Sequence, residues 1–217
     1  MKMLVVYQKL GLHRFLGHLD LQRAMQRALR RSGLPVCYSQ GFNPHLLLSF
    51  AAPLSVGIQG EREVMELPLG EPVAEQDFLR RLNAALPEGL KALQARLLGD
   101  DAAPAMARLE AAVYTIVPRE AAPELLAAVP GFLAQTAIPC LRKTKSGERM
   151  DDLRPLVYNL LVKQGALHAV LAISERGTAR PDQLLASLAA FAGVAPPRCA
   201  ITRAALLDGR MAPLEDP

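Results

Sequence analysis

An α+β chain of two tandem β-α-β-β-α-β halves is predicted by three observations. Apolar residues alternate between strand and helix period in the same order twice, a polar, small-residue stretch (Gly99 to Pro104, GDDAAP) separates the two series, and 51% hydrophobic against 21% charged residues indicates a folded globular chain. At 217 residues the length suits one large domain or two of about 100 residues each.

In the first half, Lys2 to Lys9 reads as a strand, His18 to Ser32 as a helix, Leu34 to Ser39 as a strand, and Leu46 to Leu69 as two extended runs broken near Gln59 and Gly60. A second helix runs from Glu75 to Ala85, stopped by Pro87 and Gly89, and Leu90 to Leu98 closes the half as a strand. The second half repeats the order. Ala111 to Val117 is a strand, Pro123 to Gln135 a helix, Ile138 to Arg142 a strand, and Val157 to Lys163 with Leu167 to Ser174 a strand pair around Gln164-Gly165. Pro181 to Phe191 is then a helix and Arg198 to Leu206 a strand. This order predicts two ferredoxin-like halves, over 1–104 and 105–207, followed by a loose tail over 208–217. The repeat rests on element order, because the halves share no visible sequence identity.

Charge is concentrated at one end. Residues 1 to 60 carry Lys2, Lys9, Arg14, Arg23, Arg27, Arg30 and Arg31 against a single acid, Asp20, so the formal +4 of the whole chain is a local patch. Arg23, Arg27, Arg30 and Arg31 follow i, i+4, i+7, i+8 spacing and share one helix face, while Ala24, Met25, Ala28 and Leu29 point the other way. A surface helix usually interleaves acids at i,i+4, and this one does not. Guanidinium groups fork onto phosphate oxygens, so the face is a candidate anion site. A solvated surface helix is the competing reading.

Two polar motifs flank the helix. In Gly17-His18-Leu19-Asp20, Gly17 and Asp20 suit capping of the positive helix end, and His18 stands where an anion would dock. Gly41-Phe42-Asn43-Pro44-His45 has turn composition. Its functional reading is a loop in which Asn43 and His45 contact a base or phosphate and Phe42 stacks. Phe42 in the core is the alternative. In the second half, Arg142, Lys143, Lys145 and Arg149 surround a glycine turn and suit a basic loop gripping a polynucleotide backbone, with a solvated loop as the alternative. His18 and His45 are the candidate acid–base residues.

Cys37, Cys140 and Cys199 are few and widely spaced, which fits a reducing compartment and offers no local cysteine cluster to zinc or iron–sulfur. His13, His168, Glu63 and Glu66 have no metal-site spacing, so neither a metal nor another cofactor is expected. Met1 to Leu10 lacks the order of a signal peptide, and the longest apolar stretch, Leu46 to Ile58, is too short and too interrupted to cross a bilayer. Cytoplasmic location without membrane contact is the expectation.

GHLD (Gly17 to Asp20), RALRRSGLPVCYSQGFNPH (Arg27 to His45), LSFAAPLSVG (Leu48 to Gly57), LNAALPEGL (Leu82 to Leu90) and RKTKSGERMDDLRP (Arg142 to Pro155) together resemble the radical SAM-linked proteins, a bacterial domain fused to, or encoded beside, radical S-adenosylmethionine enzymes. The resemblance implies a radical SAM enzyme as partner, with the radical chemistry on that other polypeptide, and a role in RNA metabolism. The expected function is an RNA-binding accessory module that presents tRNA or rRNA to that partner. An RNA endonuclease or modifying subunit using His18 or His45, and a scaffold docking an acidic protein, are the alternatives.

Overall fold

The computed structural model describes residues 1–144, 147–174 and 177–216. Its secondary structure is mixed α+β, as the sequence pattern requires. By contacts the chain divides into two compact units, one of residues 1–109 with 205–217 and one of residues 110–204.

In the first unit, β1 (Lys2–Lys9) leads to α1 (His18–Arg31), then β2 (Ser49–Phe50), β3 (Gln59–Pro68), α2 (Glu75–Ala85), β4 (Leu90–Leu98) and the short α3 (Ala105–Arg108). β1 is antiparallel to both β3 and β4, and β2 is antiparallel to β3, so the order across this part of the sheet is β4-β1-β3-β2. Alternation places Met3, Val5 and Tyr7 of β1 in one core with Met65 and Leu67 of β3. Leu21, Met25, Ala28 and Leu29 of α1 and Phe78 and Leu82 of α2 complete it. After α1, Gly33 adopts the left-handed conformation (φ 64°) that ends the helix.

β4 lies at an edge, where unpaired backbone groups invite association. α2 covers them with side chains. Asn83 stands in for a strand residue: its Oδ1 accepts from the Ala92 N–H at 2.8 Å, and its Nδ2 donates to the Ala92 carbonyl at 2.9 Å. Glu75 Oε1 accepts from the Leu97 N–H at 3.0 Å.

The second unit contains β5 (Leu109–Pro118), the helices α4 (Pro123–Ala127) and α5 (Val129–Leu133), and the strand pair β6 (Pro139–Thr144) and β7 (Gly147–Asp152). β8 (Val157–Lys163), β9 (Ala166–Ser174), β10 (Gly177–Thr178) and α6 (Pro181–Ala192) follow, and β11 (Cys199–Asp208) begins in this unit and ends in residues 205–208 of the first. β9 pairs antiparallel with β5, β8 and β10, and β11 is the other neighbour of β5. β8 and β9 meet at Gln164-Gly165, both at positive φ (52° and 75°), as the sequence dipeptide predicts for a tight hairpin.

Four expectations change. Leu34 to Ser39 is not a strand: Pro35 has no N–H to give, and only isolated bridges form, Val36 to Leu69 and Tyr38 to Leu46. Of the extended run from Leu46, Ser49–Phe50 forms the one strand before Gln59 among the described residues, beside the isolated bridge at Leu46. The helix expected over Pro123 to Gln135 is two short ones, because Pro130 cannot donate a hydrogen bond to the turn before it. The tail is anchored rather than loose. Leu214 is fully buried, its N–H donates to the Leu206 carbonyl at 2.9 Å, and Arg62 Nε donates to Glu215 Oε1 at 2.7 Å. The turn before it is built on Asp208, whose Oδ1 accepts from the N–H groups of Arg210 (2.9 Å) and Ala212 (3.0 Å).

Asn83→Ala leaves the buried Ala92 backbone without its partners and is expected to destabilise the fold by about 1–3 kcal/mol, read from urea unfolding. A second expectation concerns acid. The Ala212 and Arg210 N–H groups hold the Asp208 carboxyl below its ordinary value of 3.8. A carboxyl lowered in the folded state contributes stability above its unfolded value and loses it as pH falls through the folded one. Protection against amide exchange over 206–214, taken relative to the intrinsic rate at each pH, should therefore fall below the ordinary aspartate range, and Asp208→Asn should remove that acid dependence.

Candidate functional site

The predicted arginine face exists within the first unit. Arg23, Arg27, Arg30 and Arg31 are exposed on α1, on the side opposite its buried residues. Three of the four make local or tertiary bonds. Arg23 pairs with Asp20 at 3.2 Å, one turn apart and both exposed, a contact worth little in water. Arg27 Nε donates to the Arg23 carbonyl at 3.2 Å. Arg31 Nη2 donates to the Ala85 carbonyl at 2.6 Å, so it ties α1 to the last turn of α2 as well as presenting charge. Sequence spacing carries no sign of that tertiary bond.

Gly17 is the N-cap residue of α1 and makes no side-chain cap hydrogen bond, and Asp20 lies in the first turn. His18 is exposed and its ring meets Phe50 edge-on, centroids 5.4 Å apart. Ahead of the helix, a 3-10 turn over Gly11–Phe15 holds the Arg14 guanidinium 4.5 Å above the exposed Phe15 ring. Lys9, fully buried, donates from Nζ to the Leu16 carbonyl at 3.2 Å and secures this connection from beneath. The Arg14–Phe15 pair was not among the sequence candidates, although an adjacent cation and ring on a polar turn is a legible signal.

The GFNPH motif forms the tip of a narrow loop. Leu47 N–H donates to the Cys37 carbonyl at 3.0 Å and Ser39 N–H to the His45 carbonyl at 2.8 Å. Ser39 Oγ accepts from the His45 N–H at 3.1 Å and lies 2.7 Å from His45 Nδ1. Where that hydroxyl donates to Nδ1, the ring proton sits on Nε2. Gly41, Phe42, Asn43, Pro44 and His45 are all exposed, which removes the reading of Phe42 as a core residue. His18 on α1 and His45 on the loop have different partners, a phenyl ring and a serine hydroxyl.

Within the second unit, the stretch expected to be a basic loop is the β6–β7 hairpin. Arg142 and Arg149 both turn to Asp151, Arg142 at 3.6 Å and Arg149 through a short hydrogen bond from Nε. The Arg149 hydrogen bond is the main cause holding the Asp151 carboxyl below its ordinary value of 3.8, and Arg142 adds to it. One carboxylate thus offsets part of the charge of two guanidiniums. A recess of about 380 Å³ beside them is lined by Pro155, Leu156 and Tyr158. Asp152 orients the chain, accepting from the N–H groups of Ile138 (2.7 Å) and Arg154 (2.8 Å). Only the backbone of Lys143 is described, and Lys145 lies outside the described residues.

Among the described residues, no group of three or more His, Cys, Asp or Glu side chains is placed to hold a metal ion, and no helix is long and apolar enough to cross a membrane. Burial raises the thiol pKa of Cys140 and of Cys199, which opposes thiolate chemistry at either.

The family described as an uncharacterized protein conserved in bacteria (DUF2344) matches residues 2–181, and the chain belongs to it. No curated protein matches the chain.

Removing the shared carboxylate tests the charge balance of the hairpin. Asp151→Asn leaves Arg142 and Arg149 unneutralised and is expected to shift elution from immobilised heparin to higher salt. Unchanged elution would mean that these guanidiniums do not meet the polyanion.

Proposed function

We propose that this family member is an RNA-binding accessory module that presents tRNA or rRNA to a radical SAM enzyme. The observation that carries the RNA reading is the exposed arginine face of α1, with Asp20 as the single acid among residues 1 to 60. An excess of cations on one helix face attracts a polyanion by releasing its condensed counterions, and needs no pocket to do so. The Arg14–Phe15 pair adds a ring and a cation to the same unit. The partner comes from the resemblance of the GHLD, RALRRSGLPVCYSQGFNPH and LSFAAPLSVG segments to proteins encoded beside radical SAM enzymes.

The architecture belongs to the same reading. The order β4-β1-β3-β2 in the first unit, and β11-β5-β9-β8 in the second, supports two ferredoxin-like halves, with β6 and β7 as an insertion in the second. Accessory binding is preferred to catalysis because, among the described residues, the side-chain contacts of His18 and His45 are a phenyl ring (Phe50) and a hydroxyl (Ser39), with no carboxylate or second base.

Arg23, Arg27 and Arg30 are the residues to change, since Arg31 also holds α2. Converting these three to Gln should weaken RNA binding and reduce the slope of log affinity against log salt by about 2 for a single strand, with thermal stability unchanged. Full RNA affinity in the folded triple variant would remove α1 from the site. Binding of an acidic protein partner with no RNA affinity in the parent would select the scaffold alternative.

A further inference from the structure

We infer that the 39–45 loop is a base-stacking finger, and that the RNA this protein takes is single-stranded where Phe42 meets it. The inference rests on the RNA reading above and adds to it the class of RNA and the residue that selects it.

Phe42 is 106% exposed, as open as an isolated residue in an extended peptide, whereas Tyr7, Phe50 and Phe78 of the same unit are buried. Holding a phenyl ring fully in water forgoes the burial that a large apolar side chain gains in a core, and no other large hydrophobic side chain among the described residues is as open. Looseness of the loop does not explain it, because the base of the loop is closed three times over. The Cys37–Leu47 and Ser39–His45 backbone bonds and the contacts of Ser39 Oγ to His45 fix its two arms, and Leu46 is buried in the core next to them. Gly41, at φ 122°, takes a backbone conformation that a side chain would oppose, and this sets the turn that carries the ring outward. A ring on a braced arm is pre-organised, so little ordering is needed when a flat partner stacks on it.

The surroundings of the ring select a nucleobase over an apolar protein pocket. Phe42 shares the exposed tip with an amide (Asn43) and an imidazole (His45) as well as Pro44, so a stacking face stands in a segment that also carries hydrogen-bonding groups. The segment that carries it, residues 1 to 60, holds seven Lys and Arg against the single acid Asp20. Bases stack on an aromatic face regardless of sequence, and only unpaired bases expose theirs; an A-form duplex keeps them inside.

Because the chain contains no tryptophan, Phe42→Trp supplies a single fluorescent reporter at the tip. The test uses the full chain with a mixed-sequence single-stranded RNA and a blunt-ended, loop-free duplex of equal length. Phe42→Ala is expected to weaken single-strand binding about tenfold while leaving duplex binding alone, and Phe42→Trp is expected to keep the affinity and lose fluorescence as the single strand is added. Circular dichroism of both variants should match the parent, since the side chain has no packing to lose. A parent that binds RNA, with Phe42→Ala equally tight or Phe42→Trp silent, overturns the stacking finger and leaves the arginine-face reading standing. A parent that binds neither RNA overturns both. Quenching by a radical SAM protein and not by RNA would make the tip a protein contact and also overturns it.

Discussion

The placement of the cationic groups in the first unit depends on one constraint: α1 must bury Leu21, Met25, Ala28 and Leu29 in the core it shares with Met3, Val5, Met65 and Leu67. Each such side chain gains about 1.5–3 kcal/mol on leaving water. A turn of the helix about its axis would expose these residues and bury guanidiniums, whose desolvation costs more than the rotation could return. Arg23, Arg27, Arg30 and Arg31 are therefore aimed outward by the residues behind them. The arginine face is a consequence of core packing before it is a property of the arginines. That is why a charge change there leaves the fold alone, except at Arg31, whose bond to the Ala85 carbonyl belongs to the packing as well.

Elements with a strong period and clear stops were legible from the residues alone. β1, α1, α2 and β4 fall within a residue of where alternation, 3.6-residue spacing and the Pro87 and Gly89 stops place them. What was not legible depended on long-range partners or on single residues within weak patterns. Leu34 to Ser39 has strand composition, but no full strand is available to it beyond the bridges at Val36 and Tyr38. The tail looked loose because one buried leucine, Leu214, is no periodicity, and its partners Leu206, Arg62 and Arg108 lie between 8 and more than 150 residues away in sequence.

The candidate residues divide in the same way. Which arginines share a face follows from arithmetic along the helix, so it could be read in advance. Which charges are already paired could not. Arg142 reaches Asp151 only because β6 and β7 pair, while Arg149 lies two residues from it on β7, and the linear sequence shows a basic run around a glycine. His45 is visible as a ring in a turn motif, but its bond to Ser39 closes a loop whose two arms have, in sequence, the composition of a strand and of a separate extended run. Asn83 left no trace at all, since an asparagine in a helix acquires its role only when a strand edge arrives beside it.

Two phenylalanine rings, Phe15 and Phe42, face outward from the first unit under different physical conditions, and the difference bears on what each can do. The 3-10 turn that carries Phe15 is tied down by Lys9 to the Leu16 carbonyl, by the Gly57 N–H to the Arg14 carbonyl at 2.7 Å and by the Gly11 N–H to Gln59 Oε1 at 3.0 Å. Its ring is already covered by a cation: the Arg14 guanidinium occupies one face, and a base arriving there must share or displace it. Phe42 has no such cover among the described residues, and its loop is braced at the base instead of across the tip. An occupied ring contributes to a surface that is cationic and apolar at once, suited to backbone and sugar contact of low selectivity. An open ring on a rigid arm responds to the one feature that separates an unpaired base from a paired one, its exposed π-face.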